Sequence, residues 1–272
     1  MLMATANVCL ASSGREKGTV VIVPKSACPG VDLAARELQY YVEQATGVRM
    51  PILTEESLPQ AATKRIYLGA TKAALEAGID PARLPRDAYR IRKSGEVAYL
   101  VGGDGVGDPI ALGTPVGTLF AVYDVLDNDL GVRWLWPGQS GEFVPKHAAL
   151  KIRDRDETVL PRFRFCGLRT GRAEEVRWMR RMRMHDADGM NYGHSFEKWG
   201  AQYFAEHPDW FEMDSKGVRH PGKSMCVSNP GFHKQIVENW WAEQQKHPGY
   251  RTTVNICEND GPGACGCPNC LA

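Results

Sequence analysis

The apolar positions of the first half alternate between short unbroken runs and helical spacing. Thr19 to Val23 is a β-branched run ended by Pro24, which predicts a strand, and after the turn at Pro29-Gly30 Asp32 is a plausible N-cap. Val31, Ala34, Leu38, Tyr41, Val42 and Ala45 then recur at three- and four-residue spacing, and Gly47 stands where a helix-ending glycine belongs. Arg65 to Leu68 predicts a buried strand stopped by Gly69. Tyr89 to Ile91 and Val97 to Val101 flank Lys93-Ser94-Gly95 as a hairpin. A second amphipathic helix carries Val116, Leu119, Phe120, Tyr123 and Leu126 on one face, and Asn128 to Gly131 ends it before Val132 to Trp136. Residues 1–145 therefore predict a small α/β domain, a sheet with helices packed on it.

Residues 146–161 are charged, lack a clear long period and end in proline, so they predict a linker. Over 162–272 the pattern becomes strand, helix, strand, helix. It runs through Arg164 to Leu168, Ala173 to His185 and Met190 to His194, then Met225 to Ser228, Phe232 to Lys246 and Thr252 to Ile256. Such alternation predicts parallel strands with helical crossovers. About four strands are half of what a (β/α)8 TIM barrel needs. The expected architecture is α/β throughout, an accessory domain followed by the N-terminal half of a truncated TIM barrel, with a four-stranded open sheet as the alternative.

Composition changes little. At 43% hydrophobic and 24% charged the chain has the make-up of a globular protein, not of a disordered or fibrous one. A formal charge of +1 provides no global field for nucleic acid or an anionic membrane surface. The one local excess, Arg177, Arg180, Arg181 and Arg183, has helical spacing and is read as a solvated face. No apolar run approaches the ~18 residues of a spanning helix, so no membrane insertion is expected. Met1 to Ser13 lacks the basic start and apolar length of a signal peptide.

In barrels the site forms at the C-terminal ends of the strands, and the residues expected there are polar: Arg169, then Asn191 and His194, then Asn229, then Glu258, Asn259 and Asp260. Polar groups converging on one rim suit a sugar, whose hydroxyls must exchange water hydrogen bonds for protein ones. Glu258 and Asp260 are the candidate catalytic pair, since glycoside hydrolysis needs one carboxyl to protonate the leaving oxygen and a second acidic group, or the substrate itself, opposite it. Two neighbouring carboxylates also repel, which raises one pKa toward the range of a general acid. The competing reading is a turn at Asn259-Asp260-Gly261. Arg169, Asn191, His194, Asn229 and Asn259 are the candidate substrate-binding residues, although a lone histidine such as His194 is more often structural. Trp199, Tyr203, Phe204, Trp210 and Phe211 offer a flat face for a pyranose, but a local hydrophobic mini-core is expected for most of them.

Cys265, Cys267 and Cys270, with Cys257 eight residues before the first, have the density of a thiolate metal site, and zinc is the first candidate. Disulfides or free thiols are the alternatives. In each case the cysteines would brace the loop after the fourth strand. Gly102-Gly103-Asp104-Gly105 matches no phosphate-binding fingerprint and is read as a turn.

Three segments of the first half, Asp32 to Val42 with Thr46-Gly47, Ile66 to Gly69, and Gly117 to Asp124 running on to Gly131-Val-Arg-Trp134, resemble the domain that precedes the barrel in α-glucuronidases and β-hexosaminidases. His207 to Phe211, Asn255 to Gly261 and the cysteine triplet resemble a bacterial glycosidase-like barrel long labelled only as of unknown function. The resemblance implies hydrolysis of O-glycosidic bonds in complex glycans, with some relatives similar to endo-β-N-acetylglucosaminidases acting on N-glycans. It also implies substrate-assisted catalysis in which Glu258 is the acid and Asp260 the polarising partner, or the reverse, with no catalytic cofactor. A carbohydrate substrate and a secreted or periplasmic location follow as expectations. The protein nucleophile of other retaining barrels comes from a later strand, so the 272-residue chain itself is expected to be inactive. The alternatives are a non-catalytic glycan-binding protein and an α-glucuronidase-type hydrolase.

Overall fold

The computed structural model describes residues 18–57, 64–169, 171–187, 193–222, 224–246, 253–260 and 264–272. The chain divides into two compact units, Met1–Ala187 and Asp188–Ala272.

The first unit is built on β1 (Thr19–Val23), α1 (Pro29–Thr46), β2 (Ile52–Thr54), β3 (Lys64–Leu68), α2 (Lys72–Glu76), β4 (Tyr89–Ser94), β5 (Val97–Gly102), α3 (Gly117–Asn128), β6 (Arg133–Trp134), β7 (Glu142–Phe143) and β8 (Arg155–Val159). Six strands form one sheet in the order β2-β1-β3-β5-β4-β8. β2, β1, β3 and β5 are parallel, and β4 runs antiparallel to both β5 and β8. All five residues of β1 are buried, as a β-branched strand covered on both faces must be. On one face Leu38, Tyr41 and Val42 of α1 and Leu119, Phe120 and Tyr123 of α3 share a core with Val21, Ile66, Ile91 and Leu100. Gly47 ends α1 in the left-handed conformation, returning its N–H to Glu43 O.

The stretch expected as a linker does not behave as one. Arg155–Val159 is the edge strand of this sheet, registered on β4 from Tyr89↔Val159 to Lys93↔Arg155. Its polarity is that of an edge strand: Asp156 takes ion pairs from Arg90 at 2.8 Å and Arg92 at 3.0 Å on the neighbouring strand.

The glycine-rich run after β5 makes a close approach between backbones. A Cβ on Gly102 would lie 2.0 Å from Gly117 C, and one on Gly117 would lie 2.2 Å from Ala88 O. Asp104 then occupies the start of α3, accepting from Thr118 N at 2.9 Å and Thr118 Oγ1 at 2.5 Å. A carboxylate of the chain itself thus sits at the helix terminus that a phosphate would otherwise use. Burial pushes that carboxyl up to about 6, against the Thr118 hydrogen bonds.

The rest of the first unit is β9 (Phe165–Cys166), α4 (Ala173–Arg181) and β10 (His185–Asp186), with β9 and β10 paired antiparallel. The arginine cluster is not a solvated face. Only Arg177 is exposed, whereas Arg180 is fully buried. The Arg180 guanidinium donates to Pro109 O at 3.0 Å, Met184 O at 3.1 Å and Thr114 O at 2.5 Å, and lies 5.1 Å from the centre of the Phe120 ring. Burial brings its pKa down to about 10. Arg181 bridges Glu142 (2.6 Å) and Glu37 (3.5 Å), and Arg183 pairs with Asp127 (3.1 Å). Charge spacing alone does not distinguish this from a surface stripe, because the acceptors are backbone carbonyls and acids far away in sequence.

The second unit contains α5 (Trp199–Tyr203), α6 (Pro230–Lys246) and α7 (Pro268–Leu271). Among its described residues there is no extended ladder, only the antiparallel bridges Phe211↔Met225 and Met213↔Arg219. The expected parallel half-barrel is therefore not seen among the described residues. Residues 190–192 and 252 of the expected strands lie outside the described residues. The remaining segments direct their backbone groups elsewhere: Met225 N donates to Glu258 Oε1 and Ser195 N to Cys257 O. What organises the unit is the aromatic mini-core of Phe196, Trp199, Trp210, Phe211, Met225 and Phe232, flanked by Tyr203 and Phe204. The chain as a whole is mixed α/β with a parallel-dominated sheet. No helix among the described residues is long and apolar enough to cross a membrane.

Candidate functional site

Within the second unit, residues 193–197 and 255–260 are tied together by short bonds. Asn255 Nδ2 donates to Gly193 O (2.8 Å), Ser195 N to Cys257 O (3.0 Å) and Phe196 N to Asn259 Oδ1 (3.3 Å). Phe196 anchors the first segment in the mini-core, its ring 5.0 Å from Phe232 and 5.3 Å from Trp199. These ties bring His194 against Asp260, Nε2 to Oδ2 at 3.1 Å, while Nδ1 lies 3.1 Å from Glu197 Oε1. Glu258 is half-buried, and one of its oxygens takes the Met225 N–H at 2.9 Å. Asp260 is almost fully exposed.

Both ring nitrogens of His194 face carboxylate oxygens, and only the imidazolium can donate to both. The hydrogen bond to Glu197, and then the Asp260 charge, hold its pKa above the ordinary histidine range. Because the folded pKa exceeds the unfolded one, this pairing contributes in full below about pH 6.5 and is lost as pH rises through the higher folded value. An NMR titration of the His194 C2 proton should give a midpoint above that of a histidine in an unstructured peptide. Glu197→Gln should lower the midpoint more than Asp260→Asn does, and a midpoint unmoved by Glu197→Gln would show that the pairing is absent in solution.

The other expected site residues separate. Asn229 is committed to local structure: its Oδ1 accepts from Gly231 N (2.8 Å) and Phe232 N (3.1 Å), capping α6, and its Nδ2 donates to Asp209 Oδ2 (2.7 Å). Asn259 braces Phe196. Arg169 is exposed and belongs to the first unit. Asn191 lies outside the described residues. Glu197, which no motif marks, is the partner that sequence reasoning missed; its only signal is its place three residues after His194.

Of the four cysteines expected together, three meet. The Sγ atoms of Cys226, Cys265, Cys267 and Cys270 all lie within 4.8 Å of one another, and Cys226, Cys265 and Cys267 are buried. Cys257 is not among them, since its thiol is directed to Glu258 O at 3.7 Å. Cys226 takes its place from almost forty residues before Cys265, a distance that spacing rules do not reach.

Residues 136–272, just over half of the chain, match the family described as a domain of unknown function, DUF4838. No curated protein matches the sequence. Similar solved structures include the 4-O-methyl-α-glucuronidase BtGH115A, described as specific for decorated arabinogalactans, at 15% identity and a TM-score of 0.40 over 74% of this chain. Streptomyces plicatus N-acetyl-β-hexosaminidase aligns at 12% identity and a TM-score of 0.38 over 85% of this chain. A GH138 enzyme described as targeting pectin rhamnogalacturonan II aligns at 13% identity and a TM-score of 0.24 over 40% of this chain. The chain spans 22%, 53% and 10% of these three proteins' own lengths.

Proposed function

The chain belongs to the DUF4838 family, whose description names no activity, and from the geometry of the second unit we propose that it carries the acid end of a glycoside-hydrolase site. The observation that carries this reading is the contact of His194 with Asp260, two residues beyond the half-buried Glu258. The two carboxyl groups stand in different surroundings, Glu258 half-buried and Asp260 exposed beside His194. Asp260, in contact with His194, accepts and orients the N–H of a substrate acetamide. Glu258, more withdrawn from water, protonates the leaving glycosidic oxygen while the acetamide oxygen attacks the anomeric carbon. The sequence resemblance favours N-glycans cleaved by an endo-β-N-acetylglucosaminidase-like reaction in a secreted or periplasmic setting, with glucuronoxylans next.

The test is reducing-sugar release from a panel of N-glycans and glucuronoxylans by the protein. Glu258→Gln is expected to reduce turnover by about 10²- to 10⁴-fold while leaving glycan binding in place. Wild-type protein that binds glycans without cleaving any would identify a non-catalytic binding module instead, and undiminished turnover in Glu258→Gln would remove Glu258 from the mechanism.

A further inference from the structure

We infer that Cys226, Cys265, Cys267 and Cys270 form a structural zinc site of four thiolates, which does not depend on the glycosidase reading. The sulfur separations are those of ligands sharing one ion. Around a tetrahedral ion with Zn–S bonds of about 2.3 Å, ligand sulfurs lie roughly 3.8 Å apart. Cys226 Sγ is 3.6 Å from Cys267 Sγ and 3.7 Å from Cys270 Sγ, well beyond the about 2.05 Å of a disulfide. All four sulfurs fit within 4.8 Å, the size of a shell around one ion. A cluster of several irons would hold its thiolates around a larger cage.

The surroundings suit sulfur that carries negative charge. Met213 N points at Cys265 Sγ (3.4 Å) and so does Arg219 Nη1 (3.5 Å), while Ser228 Oγ lies 2.9 Å from Cys270 Sγ. Donors around the sulfurs fix their orientation in the way that outer partners of metal ligands do. Zinc with four thiolates carries a net charge of −2, and the half-buried Arg219 is the adjacent cation. Binding is a ligand exchange without redox chemistry: Zn²⁺ enters, four S–H bonds are lost as four Zn–S bonds form, and four protons pass to solvent. An all-sulfur tetrahedral donor set selects zinc over the hard cations.

The site also joins segments distant in sequence. Cys226 follows the bridge Phe211↔Met225, and Gly266 N donates to Met213 O at 2.7 Å beside the same cluster. One ion would thus fasten residues 265–270 to the turn around 211–226, whose Met225 N–H holds Glu258. With no extended ladder among the described residues of the unit, this cross-link supplies support that a sheet would give.

The test is elemental analysis of the 272-residue chain purified under reducing conditions without chelator. About one zinc per chain is expected. Cys226→Ser should lose most of it and Cys257→Ser should keep it. Because Cys226→Ser can fail to fold, two measurements use the wild-type protein. Titration with an organomercurial should release one zinc as four thiols are blocked, and Co²⁺ in place of zinc should show thiolate charge-transfer and tetrahedral d–d absorption. The inference is overturned by folded, metal-free protein with four free thiols, by a disulfide among these cysteines in mass spectrometry, by iron in place of zinc, or by zinc that survives in Cys226→Ser and is lost in Cys257→Ser.

Discussion

Arg180→Met should cost the first unit about 3–5 kcal/mol, from carbonyls left without their donor. The native guanidinium is fully buried, and its three donations serve Pro109 O, Thr114 O and Met184 O at once. Methionine fills much of the volume but donates to none of them; the buried Thr114 O left without a partner costs about 1–3 kcal/mol and the part-buried Pro109 O and Met184 O add to it. The ring of Phe120, 5.1 Å from the guanidinium, loses its cation as well. Arg177→Met, on the exposed side of the same helix, should stay within about 0.5 kcal/mol. Urea unfolding of the two variants side by side decides the matter: equal midpoints would mean that the buried arginine is not what fixes α4 to the segment around Pro109.

The second large effect is expected at Gly117. Alanine there would place a methyl carbon 2.2 Å from Ala88 O and 2.7 Å from Gly103 N, both backbone atoms that no rotamer change can move aside. α3 would have to retreat from the end of β5, taking Leu119, Phe120 and Tyr123 out of their core, and the cost should exceed about 4 kcal/mol. Gly47→Ala is the control: it has a positive φ but open space around it, so only the left-handed backbone is strained and the loss should be near 1 kcal/mol. Thermal denaturation followed by circular dichroism should therefore separate the two glycines clearly. A Gly117→Ala variant as stable as Gly47→Ala would mean that strand and helix do not approach this closely.

What the sequence displayed and what it concealed follow from the range of the forces involved. β1, α1, β3, the β4–β5 hairpin and α3 were legible because local period, caps and turn glycines agreed with one another over 19–128. The aromatic mini-core was legible because five large rings within thirteen residues cannot all be solvated. β8 was not: Arg-Asp-Glu-Thr-Val has no apolar alternation, and it is a strand only because β4 supplies a ladder and Arg90 and Arg92 supply the counter-charges. Of the strands expected in the second half, Arg164 to Leu168 contains β9, whereas the run 225–228 forms only an isolated bridge. Four- and five-residue runs such as 225–228 become strands only where a neighbour accepts their backbone groups, and here side chains and loops take them. At the candidate site, the acid pair and His194 were visible as residue types at suggestive positions, whereas Glu197 and Cys226 acquire their roles through contacts that only folding creates.

The place of β8 also bears on how such a protein can be assembled from parts. The DUF4838 match begins at residue 136, yet Arg155–Val159 lies inside that match and is hydrogen-bonded to β4, which lies outside it. A gene fusion joined at residue 136 would put two paired strands of one sheet on opposite sides of the junction. Either segment transplanted alone would leave its half of that ladder without a partner, so each would need a companion that offers an equivalent edge.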